Sequence, residues 1–405
     1  MIFDQLSIPY IIKELPTHVY LIAYPETSGI VVESTAPKNR YFMASNFQIQ
    51  KGLDYMLKNE FTTQDEINKK GAQLVYNNHF YNNNTINLQQ TAGLQYYNET
   101  LLSLRDENLD AAFHSIVKGF ALYPSEQLGF LKQYILDNLL SVSNFESMRE
   151  IHYLKEYVSL QQADMDNIDI SCSRLIEKQL LNKNRKEFID SSFSYLINNV
   201  EDSIKLNFIS EVFFIGLARY YSTTFADGKA LEYGMKAYKI NPGNIYARSY
   251  ISYSIVKLSS RKNFNDNLIK KLEEYSKEAP FLKEDNHFLM FYFYVSYSLS
   301  SDYFNEDEQE DGEKYFNVAE DALSRMVDKT VIDEYYYGML YAEAGAFYYR
   351  DDQYDKALKL LYKGLELVPE HERLTTRLKI VLDKKFMGYE EDEDNEIEFL
   401  EAEDE

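Results

Sequence analysis

Apolar residues follow two different spacings along this chain, and the change comes near residue 37. Before it, residues 19–23 and 30–32 are short runs of β-branched and apolar residues. Residues 25–29, Pro-Glu-Thr-Ser-Gly, separate the two runs with residue types that favour turns. Two such runs joined by a turn predict a β-hairpin near the N terminus.

Beyond residue 37 the apolar positions recur at intervals of three and four residues, the spacing of amphipathic helices. This spacing predicts helices at about 47–58, 63–78 and 86–104, and helices continue to about residue 387. Breaks are predicted where Asn, Asp, Ser, Pro and Gly cluster, at residues 123–125, 241–244 and 305–312.

The helical part repeats itself around three prolines, Pro124, Pro242 and Pro369. An alanine stands twelve residues before each proline, and a glycine or an alanine stands five residues before it. These small residues are Ala112, Gly119, Ala230, Ala237, Ala357 and Gly364. Antiparallel helices approach closely only where small residues face each other, so the repetition predicts helix hairpins that end at the prolines.

The third copy, residues 338–371, is the most complete. Its key positions are Ala344, Gly345, Tyr348, Tyr354, Ala357, Leu361, Gly364 and Pro369. They fall at the spacing of a helix-turn-helix unit of about thirty-four residues, in which Gly345 and Ala357 mark the crossing of the two helices. The pattern resembles the tetratricopeptide repeat, and further copies lie at 93–126 and 211–244.

This resemblance implies an α-solenoid, a right-handed superhelix of helix pairs, because a single hairpin cannot bury both of its faces. We expect the first helices of the pairs to form a concave surface that accepts a peptide or a helix of another protein. Candidate lining residues on these helices are Tyr97, Tyr220 and Tyr341. The three prolines are 118 and 127 residues apart, which are not multiples of thirty-four, so irregular pairs are expected between the copies.

Charge narrows the choice of partner. Lys and Arg number 42 against 65 Asp and Glu, which gives a formal charge of −23. Residues 390–405 hold eleven acidic residues and no basic one, so the remainder still carries −12. We therefore expect a protein or peptide partner and no nucleic acid. Residues 388–405 are expected to be a solvated, disordered tail.

The sequence offers few groups for other chemistry. No stretch approaches eighteen uninterrupted apolar residues, and the N terminus lacks a signal-peptide pattern. No paired Cys and His stand at metal-ligand spacing. We expect a cytoplasmic protein without membrane contact, metal or cofactor. Isolated histidines are expected to be packing or surface residues, namely His114, His152, His287 and His371.

The N-terminal hairpin resembles part of another family. Residues 16–37 are similar to the His and Asp strands of transglutaminase-like, papain-type domains, with His18 and Glu33 at the positions of the histidine and the acid. The resemblance implies a carboxylate that orients an imidazole for general-base catalysis. That family places a nucleophilic cysteine upstream, and the seventeen residues before His18 contain none. Cys172 lies far downstream in a predicted helix and is expected to be a buried thiol.

These observations predict a mostly α protein in three segments. They are a degenerate transglutaminase-like hairpin region at 1–60, a helical array at 61–387 and the acidic tail at 388–405, an arrangement that resembles certain bacterial proteins joining the two families. We expect a non-catalytic interaction scaffold. The alternative is a transglutaminase-like cysteine peptidase or amide transferase whose cysteine-bearing N terminus is missing from this chain. A third possibility keeps the remnant as a folded binding platform without catalytic activity.

Overall fold

A computed structural model describes residues 2–15, 18–26, 30–32, 41–42, 45–77, 79 and 85–387. The chain divides into two compact units, Met1–Ser171 and Cys172–Glu405. The acidic segment 388–405, expected to be disordered, lies outside the described residues. Within the described part, no helix is long and apolar enough to cross a lipid bilayer.

The first unit opens with a five-stranded antiparallel sheet where the sequence predicts a single hairpin. Its strands are β1 (Tyr10–Leu15), β2 (His18–Ala23), β3 (Ile30–Val32), β4 (Tyr41–Phe42) and β5 (Thr85–Ile86). Their spatial order is β4-β3-β2-β1-β5. The predicted strands at 19–23 and 30–32 are confirmed as β2 and β3, and three further strands extend the sheet on both sides.

The strand β1 escapes sequence analysis because Lys13 and Glu14 interrupt its apolar run. The structure pairs all six of its residues with β2, and Lys13 is almost fully buried, which lowers the pKa of its amine. Ile22 is fully buried in the small apolar cluster of the sheet with Tyr20 and Val31. Burial of one set of side chains selects the register, because a slip by one residue would expose that set.

The rest of the first unit is helical. Its helices are α1 (Ile2–Gln5), α2 (Asn46–Lys58), α3 (Gln64–Lys70), α4 (Ala72–Asn77), α5 (Leu88–Arg105), α6 (Leu109–Leu122), α7 (Glu126–Val142) and α8 (Met148–Val158), and α9 (Met165–Leu175) crosses the boundary between the units. The predicted helices at 47–58 and 86–104 are confirmed as α2 and α5. The prediction of one helix at 63–78 is wrong, because Gly71 interrupts it with a φ of +88°. Glycine adopts this left-handed backbone without steric cost.

The second unit is built from helices. They are a π-helix at Ile176–Leu181, then α10 (Lys186–Asn199), α11 (Ser203–Thr223), α12 (Asp227–Ile240), α13 (Ile245–Ser259), α14 (Asp266–Glu278), α15 (Asn286–Asn305), α16 (Gln309–Arg325), α17 (Glu334–Arg350), α18 (Tyr354–Leu367) and α19 (Glu372–Met387), with 3-10 turns at Pro280–Lys283 and Lys329–Val331. The odd-numbered helices α11 to α19 pack side by side, and we call them the first-helix row. Helices α12, α16 and α18 each pack on the helix before them. The mostly α fold of repeated helix pairs with a small β region is confirmed.

Helix pairs cross where glycines meet large side chains. A methyl group added at Gly345 of α17 would stand 2.8 Å from the side chain of Leu361 in α18. A methyl group added at Gly364 of α18 would stand 2.8 Å from Cβ of Tyr341 in α17. Earlier positions of α17 thus meet later positions of α18, as in antiparallel helices. Ala357 and Leu361 are fully buried at this crossing.

The acidic stretch 305–312 is a shorter loop than expected. The helix α15 continues to Asn305 and α16 begins at Gln309, so three residues separate them. Glu310 and Asp311 lie in the first turn of α16, where the helix dipole stabilises negative charge. Part of the sequence that predicted a loop therefore begins a helix.

The last helix of the described residues packs on the final helix pair. This helix, α19, buries Leu374, Arg377 and Val381. Its remaining positions are mostly polar, and a polar outer face is what a terminal helix of a repeat array requires.

Candidate functional site

The transglutaminase-like pair falls mostly outside the described residues. His18 begins β2 opposite Leu15 in register, whereas Glu33 and Thr35 are not described. The His18–Glu33 pair therefore stays a prediction. Cys172 is fully buried in α9, as expected of a packing thiol.

The isolated histidines lie beside aromatic rings. The ring pairs are His114 and His152 with Phe113, His287 with Tyr253, and His371 with Tyr335. Burial lowers the pKa of His371, whose Nε2 lies 3.1 Å from the carbonyl oxygen of Tyr335. Across the part of the chain that the structure describes, no three His, Cys, Asp or Glu side chains are placed together to hold a metal ion. The contacts of these histidines fit packing and surface roles.

The small residues of the three sequence copies lie at helix contacts. The buried ones are Ala112, Gly119, Ala230, Ala237, Gly345, Ala357 and Gly364. The exposed prolines stand just beyond the ends of α6, α12 and α18, and they are Pro124, Pro242 and Pro369. In the first copy, a methyl group added at Gly119 would stand 3.1 Å from the carbonyl oxygen of Gly93. These positions shape the helix pairs.

The three candidate tyrosines differ in their surroundings. Tyr97 is half-buried on α5, and its hydroxyl accepts a hydrogen bond from the Gln127 side chain at 2.9 Å. Tyr220 is half-buried on α11 and donates to the side chain of Asn184. Their role in partner binding stays a prediction. Tyr341 is only 2% exposed, so the structure places its ring in the core and corrects the expectation that it lines a surface.

Tyr341 belongs to a polar contact that joins three helices. Its hydroxyl donates to the carboxylate of Glu320 in α16 at 2.6 Å, and the ammonium of Lys363 in α18 donates to the same carboxylate. The ammonium also lies 5.5 Å from the centre of the Tyr341 ring. Burial and the Glu320 carboxylate raise the pKa of Tyr341, so its hydroxyl remains a donor.

The same three residue types recur seven positions away along each helix. Tyr348 donates to Glu313, and Lys356 donates to Glu313 at 2.7 Å. Hydrogen bonds, the largest effect being that of Lys356, lower the pKa of Glu313 to about 2. A similar contact joins α14 to α15, where the Asp266 carboxylate accepts from the Tyr303 hydroxyl at 3.1 Å. Tyr303, Tyr341 and Tyr348 thus serve contacts between neighbouring helix pairs.

A cleft of about 500 Å³ opens in the first-helix row between the first halves of α13 and α15. Its lining residues are Ile245, Arg248, Ser249, Ser252, Tyr253, Phe281, Glu284, Asp285 and His287. The walls combine apolar rings with a few polar groups, the composition of sites that bind ligands or side chains of a partner. We take this cleft as the candidate functional site.

Asp285 holds the two helices of the cleft together. As the N-cap of α15, its carboxylate accepts from the backbone N–H of Phe288 at 2.9 Å. The same oxygen accepts from the hydroxyl of Ser252 in α13 at 2.5 Å. One carboxylate thus fixes the start of α15 against the middle of α13.

Arg248 contributes a guanidinium to the lining of the cleft. Its Nε donates to the carbonyl oxygen of Pro242 at 2.7 Å, and its guanidinium lies 5.4 Å from the centre of the Phe281 ring. These two contacts orient the guanidinium plane. Nη1 and Nη2 make no hydrogen bond within the described residues, so these two nitrogens can donate to a carboxylate.

Exposed aromatic rings continue from the cleft along the first-helix row. Tyr253, 39% exposed, stacks on His287 with ring centroids 6.2 Å apart. Seven residues further along α15, Tyr294 meets Tyr336 of α17 at 5.1 Å, and Tyr336 is 37% exposed. Tyr335 beside it is also exposed. We call these five residues the aromatic stripe. Tyr294 is half-buried, and the other four offer apolar ring faces with polar edges to solvent.

Sequence analysis did not identify the cleft or the stripe, and it treated His287 as isolated. The distance of tyrosines from the N-cap residues of their helices could have identified the stripe. Tyr253 and Tyr294 each stand nine residues after an N-cap, Asn244 and Asp285. The same residue type at the same helix position in neighbouring first helices marks one face of the row.

Comparisons with known proteins add little to this geometry. No protein-family model and no curated protein matches the chain. A tetratricopeptide repeat protein from Parabacteroides merdae is 11% identical over 72% of this chain and 99% of that chain, with a TM-score of 0.22. The Cut9–Hcn1 hetero-tetramer of the APC/C is 16% identical over 84% and 64%, with a TM-score of 0.20. A human IFIT1 dimer with m7Gppp-AAAA is 12% identical over 88% and 86%, with a TM-score of 0.20. These TM-scores support no argument, so the fold assignment rests on the helix pairs of the chain itself.

Proposed function

We propose that this protein is a non-catalytic scaffold that binds a peptide segment of a partner protein on its first-helix row. The aromatic stripe carries the proposal, because it runs across three neighbouring helices and begins in the cleft. Rings held on packed helices provide contact area at a low cost in side-chain entropy. Helical arrays bind extended peptides on faces of this kind.

The polar groups of the cleft are better suited to holding a ligand than to transforming one. Ser252 is buried, and its hydroxyl donates to Asp285, which also caps α15. A serine nucleophile needs an accessible oxygen and a base that can take its proton. The ring of His287 stacks on Tyr253, which makes it part of a wall.

Selection of peptides from a random displayed library on the full-length protein tests this proposal. We expect the wild type to enrich peptides with a shared motif. Tyr253→Ala and Tyr336→Ala should each weaken a selected peptide about tenfold or more, because truncating a central aromatic anchor costs roughly 1–2 kcal/mol or more. Tyr362→Ala is the matched control, since Tyr362 is 49% exposed on α18, outside the first-helix row. Failure to enrich any motif, or equal weakening by Tyr362→Ala, would contradict the proposal.

A further inference from the structure

We propose that His371 is an acid-sensitive latch that holds the first turn of α19 on α17, so that a fall in pH releases α19 from the final helix pair. The residue stands just before Glu372, where α19 begins, and its ring makes hydrogen bonds to the backbones of both helices. The inference does not depend on the proposed function, because its test measures the docking of α19 alone.

His371 occupies the N-cap position of α19. Its backbone carbonyl accepts from the N–H of Thr375, as the carbonyl of an N-cap residue does. Its ring Nδ1 accepts from the backbone N–H of Leu374 at 3.3 Å, which satisfies one of the donors that the first turn of a helix leaves without a partner. The other ring nitrogen, Nε2, donates to the carbonyl oxygen of Tyr335 in the first turn of α17 at 3.1 Å. One ring thus joins the starts of two helices.

The two hydrogen bonds of the ring determine its protonation. An amide N–H only donates, so Nδ1 must be unprotonated, and a carbonyl oxygen only accepts, so Nε2 must carry the hydrogen. The neutral ring satisfies both partners with a single tautomer. A protonated ring carries a hydrogen on Nδ1 as well, which would point at the N–H of Leu374 and replace the hydrogen bond by a contact of two donors. Protonation therefore removes the N-cap contact of α19.

The ring is enclosed between the two helices. His371 is 6% exposed, and a methyl group added at Gly338 of α17 would stand 2.1 Å from Cδ2 of the imidazole. The absence of a side chain at Gly338 thus lets the ring lie directly on the backbone of α17. Water has little access to a ring in this position, and burial is the largest of the effects that lower the pKa of His371.

The positive groups around the ring also oppose its protonation. Arg373 and Arg377 of α19 lower the pKa of His371 further, while the hydrogen bond to the Tyr335 carbonyl raises it. The positive end of the α19 helix dipole adds to the repulsion. From α17, the Tyr335 ring faces the imidazole with centroids 5.4 Å apart. The acidic residues next to these positions in sequence are exposed and screened by water, and they are Glu334, Glu370 and Glu372.

Release of α19 would return the ring to water and its pKa to the ordinary value of 6.5. Because the pKa of the docked ring is lower, its contribution to docking is complete above pH 6.5 and is lost as the pH falls from 6.5 towards the docked value. Release takes up one proton, so its equilibrium constant should rise by up to about tenfold per pH unit in this interval. Leu374, which packs against Gly364 of α18, would then leave its buried site.

Amide hydrogen exchange of the full-length protein tests this inference, measured from about pH 7.5 to about pH 5 and corrected for the intrinsic rate at each pH. Protection of α19 should fall by up to about tenfold per pH unit below pH 6.5, while protection of α11 and α12 should stay constant. His371→Asn keeps an N-cap acceptor without a titrating group, so protection of its α19 should not depend on pH. His287→Asn, at an exposed histidine in the first turn of α15, is the matched control and should behave as the wild type.

Three results would overturn the inference. They are protection of α19 that is independent of pH in the wild type, an unchanged pH dependence in His371→Asn, and an equal loss of protection in all helices of the second unit, which would mean unfolding of the unit. If His371→Asn does not fold, exchange of the imidazole Cε1–H in the wild type reports the titration of His371 directly. A pKa of 6.5 or above in that measurement would equally overturn the inference, and a lower one would support it.

Discussion

Replacing glycine by alanine at two helical positions of the second unit, Gly364 and Gly228, tests the close packing of the helices. A methyl group at Gly364 would stand 2.8 Å from Cβ of Tyr341 and 2.8 Å from Cδ1 of Leu374. A methyl group at Gly228 would meet no atom within 4 Å. Alanine is favoured over glycine by about 0.5–1 kcal/mol in the interior of a helix, and by less at Gly228 in the first turn of α12, so the surrounding space decides the sign.

The expected effect at Gly364 is a net loss of stability. Carbon atoms in contact normally lie about 3.5–4.0 Å apart, so Tyr341 Cβ, which is anchored to the backbone of α17, would have to move by about 0.7 Å or more. Overpacking a well-filled core costs roughly 1–3 kcal/mol. After the helix gain, Gly364→Ala should lose about 0.5–2 kcal/mol, whereas Gly228→Ala should gain up to about 1 kcal/mol.

Urea denaturation of the full-length variants, followed by circular dichroism at the helix band, measures both effects. Repeat arrays can unfold in stages, so amide exchange in α17 and α18 should accompany the denaturation curves. The reasoning is refuted if Gly364→Ala is as stable as the wild type, or if the two variants shift in the same direction by the same amount.

Packing and ionisation give three further tests. Leu361→Ala, at a fully buried site, should lower the free energy of unfolding in urea by about 2–5 kcal/mol. Leu367→Ala on the same helix, at a site that is 44% exposed, should change it by less than about 0.5 kcal/mol. Equal losses in the two variants would contradict the packing. Hydrogen bonds, that of Lys356 first, lower the pKa of Glu313 to about 2, so its contribution to stability is present above its unfolded pKa near 4.5 and is lost as the pH falls toward 2. Glu313→Gln should flatten the fall of the melting temperature over that interval, and an unchanged slope would contradict this. Burial, with a carboxylate beside it, raises the pKa of Tyr303 to about 12, so its contribution is present below pH 10 and is lost between pH 10 and 12. Absorbance at 295 nm should show that a fraction of the tyrosines ionises only above pH 10, and Tyr303→Phe should reduce that fraction. If Tyr303→Phe reduces only the absorbance change near pH 10, the raised pKa of Tyr303 is contradicted.

The helices and their crossings could be predicted because their signals are local. Apolar spacing located α2 and α5. The repeat pattern placed the crossing of α17 and α18 at Gly345 and Ala357, and in the structure Gly345 meets Leu361, one turn beyond Ala357. These signals depend on neighbours within one or two helix turns, and they survive without knowledge of the rest of the chain.

The remaining features depend on contacts between distant parts of the chain. The strand β1 is recognisable only from its pairing with β2, since Lys13 hides its apolar pattern. The predicted helix at 63–78 included Gly71 because the apolar pattern gives no information on the φ of a residue. The cleft requires α13 and α15 to be neighbours, and the irregular lengths between the prolines concealed that arrangement. Tyr341 looked like a surface ring because nothing in its own helix reveals Glu320 opposite it.

The contacts among tyrosine, carboxylate and lysine restrict how this array can diverge. Phenylalanine at position 341 would preserve the volume of Tyr341 but deprive Glu320 of a hydrogen-bond donor. An apolar residue at position 320 would leave the Tyr341 hydroxyl and the Lys363 ammonium without their shared acceptor. Members of one contact are therefore expected to covary among descendants of this protein. Neighbouring helix pairs are accordingly not interchangeable modules, since Glu313 and Glu320 of one pair match Tyr348 and Tyr341 of the next.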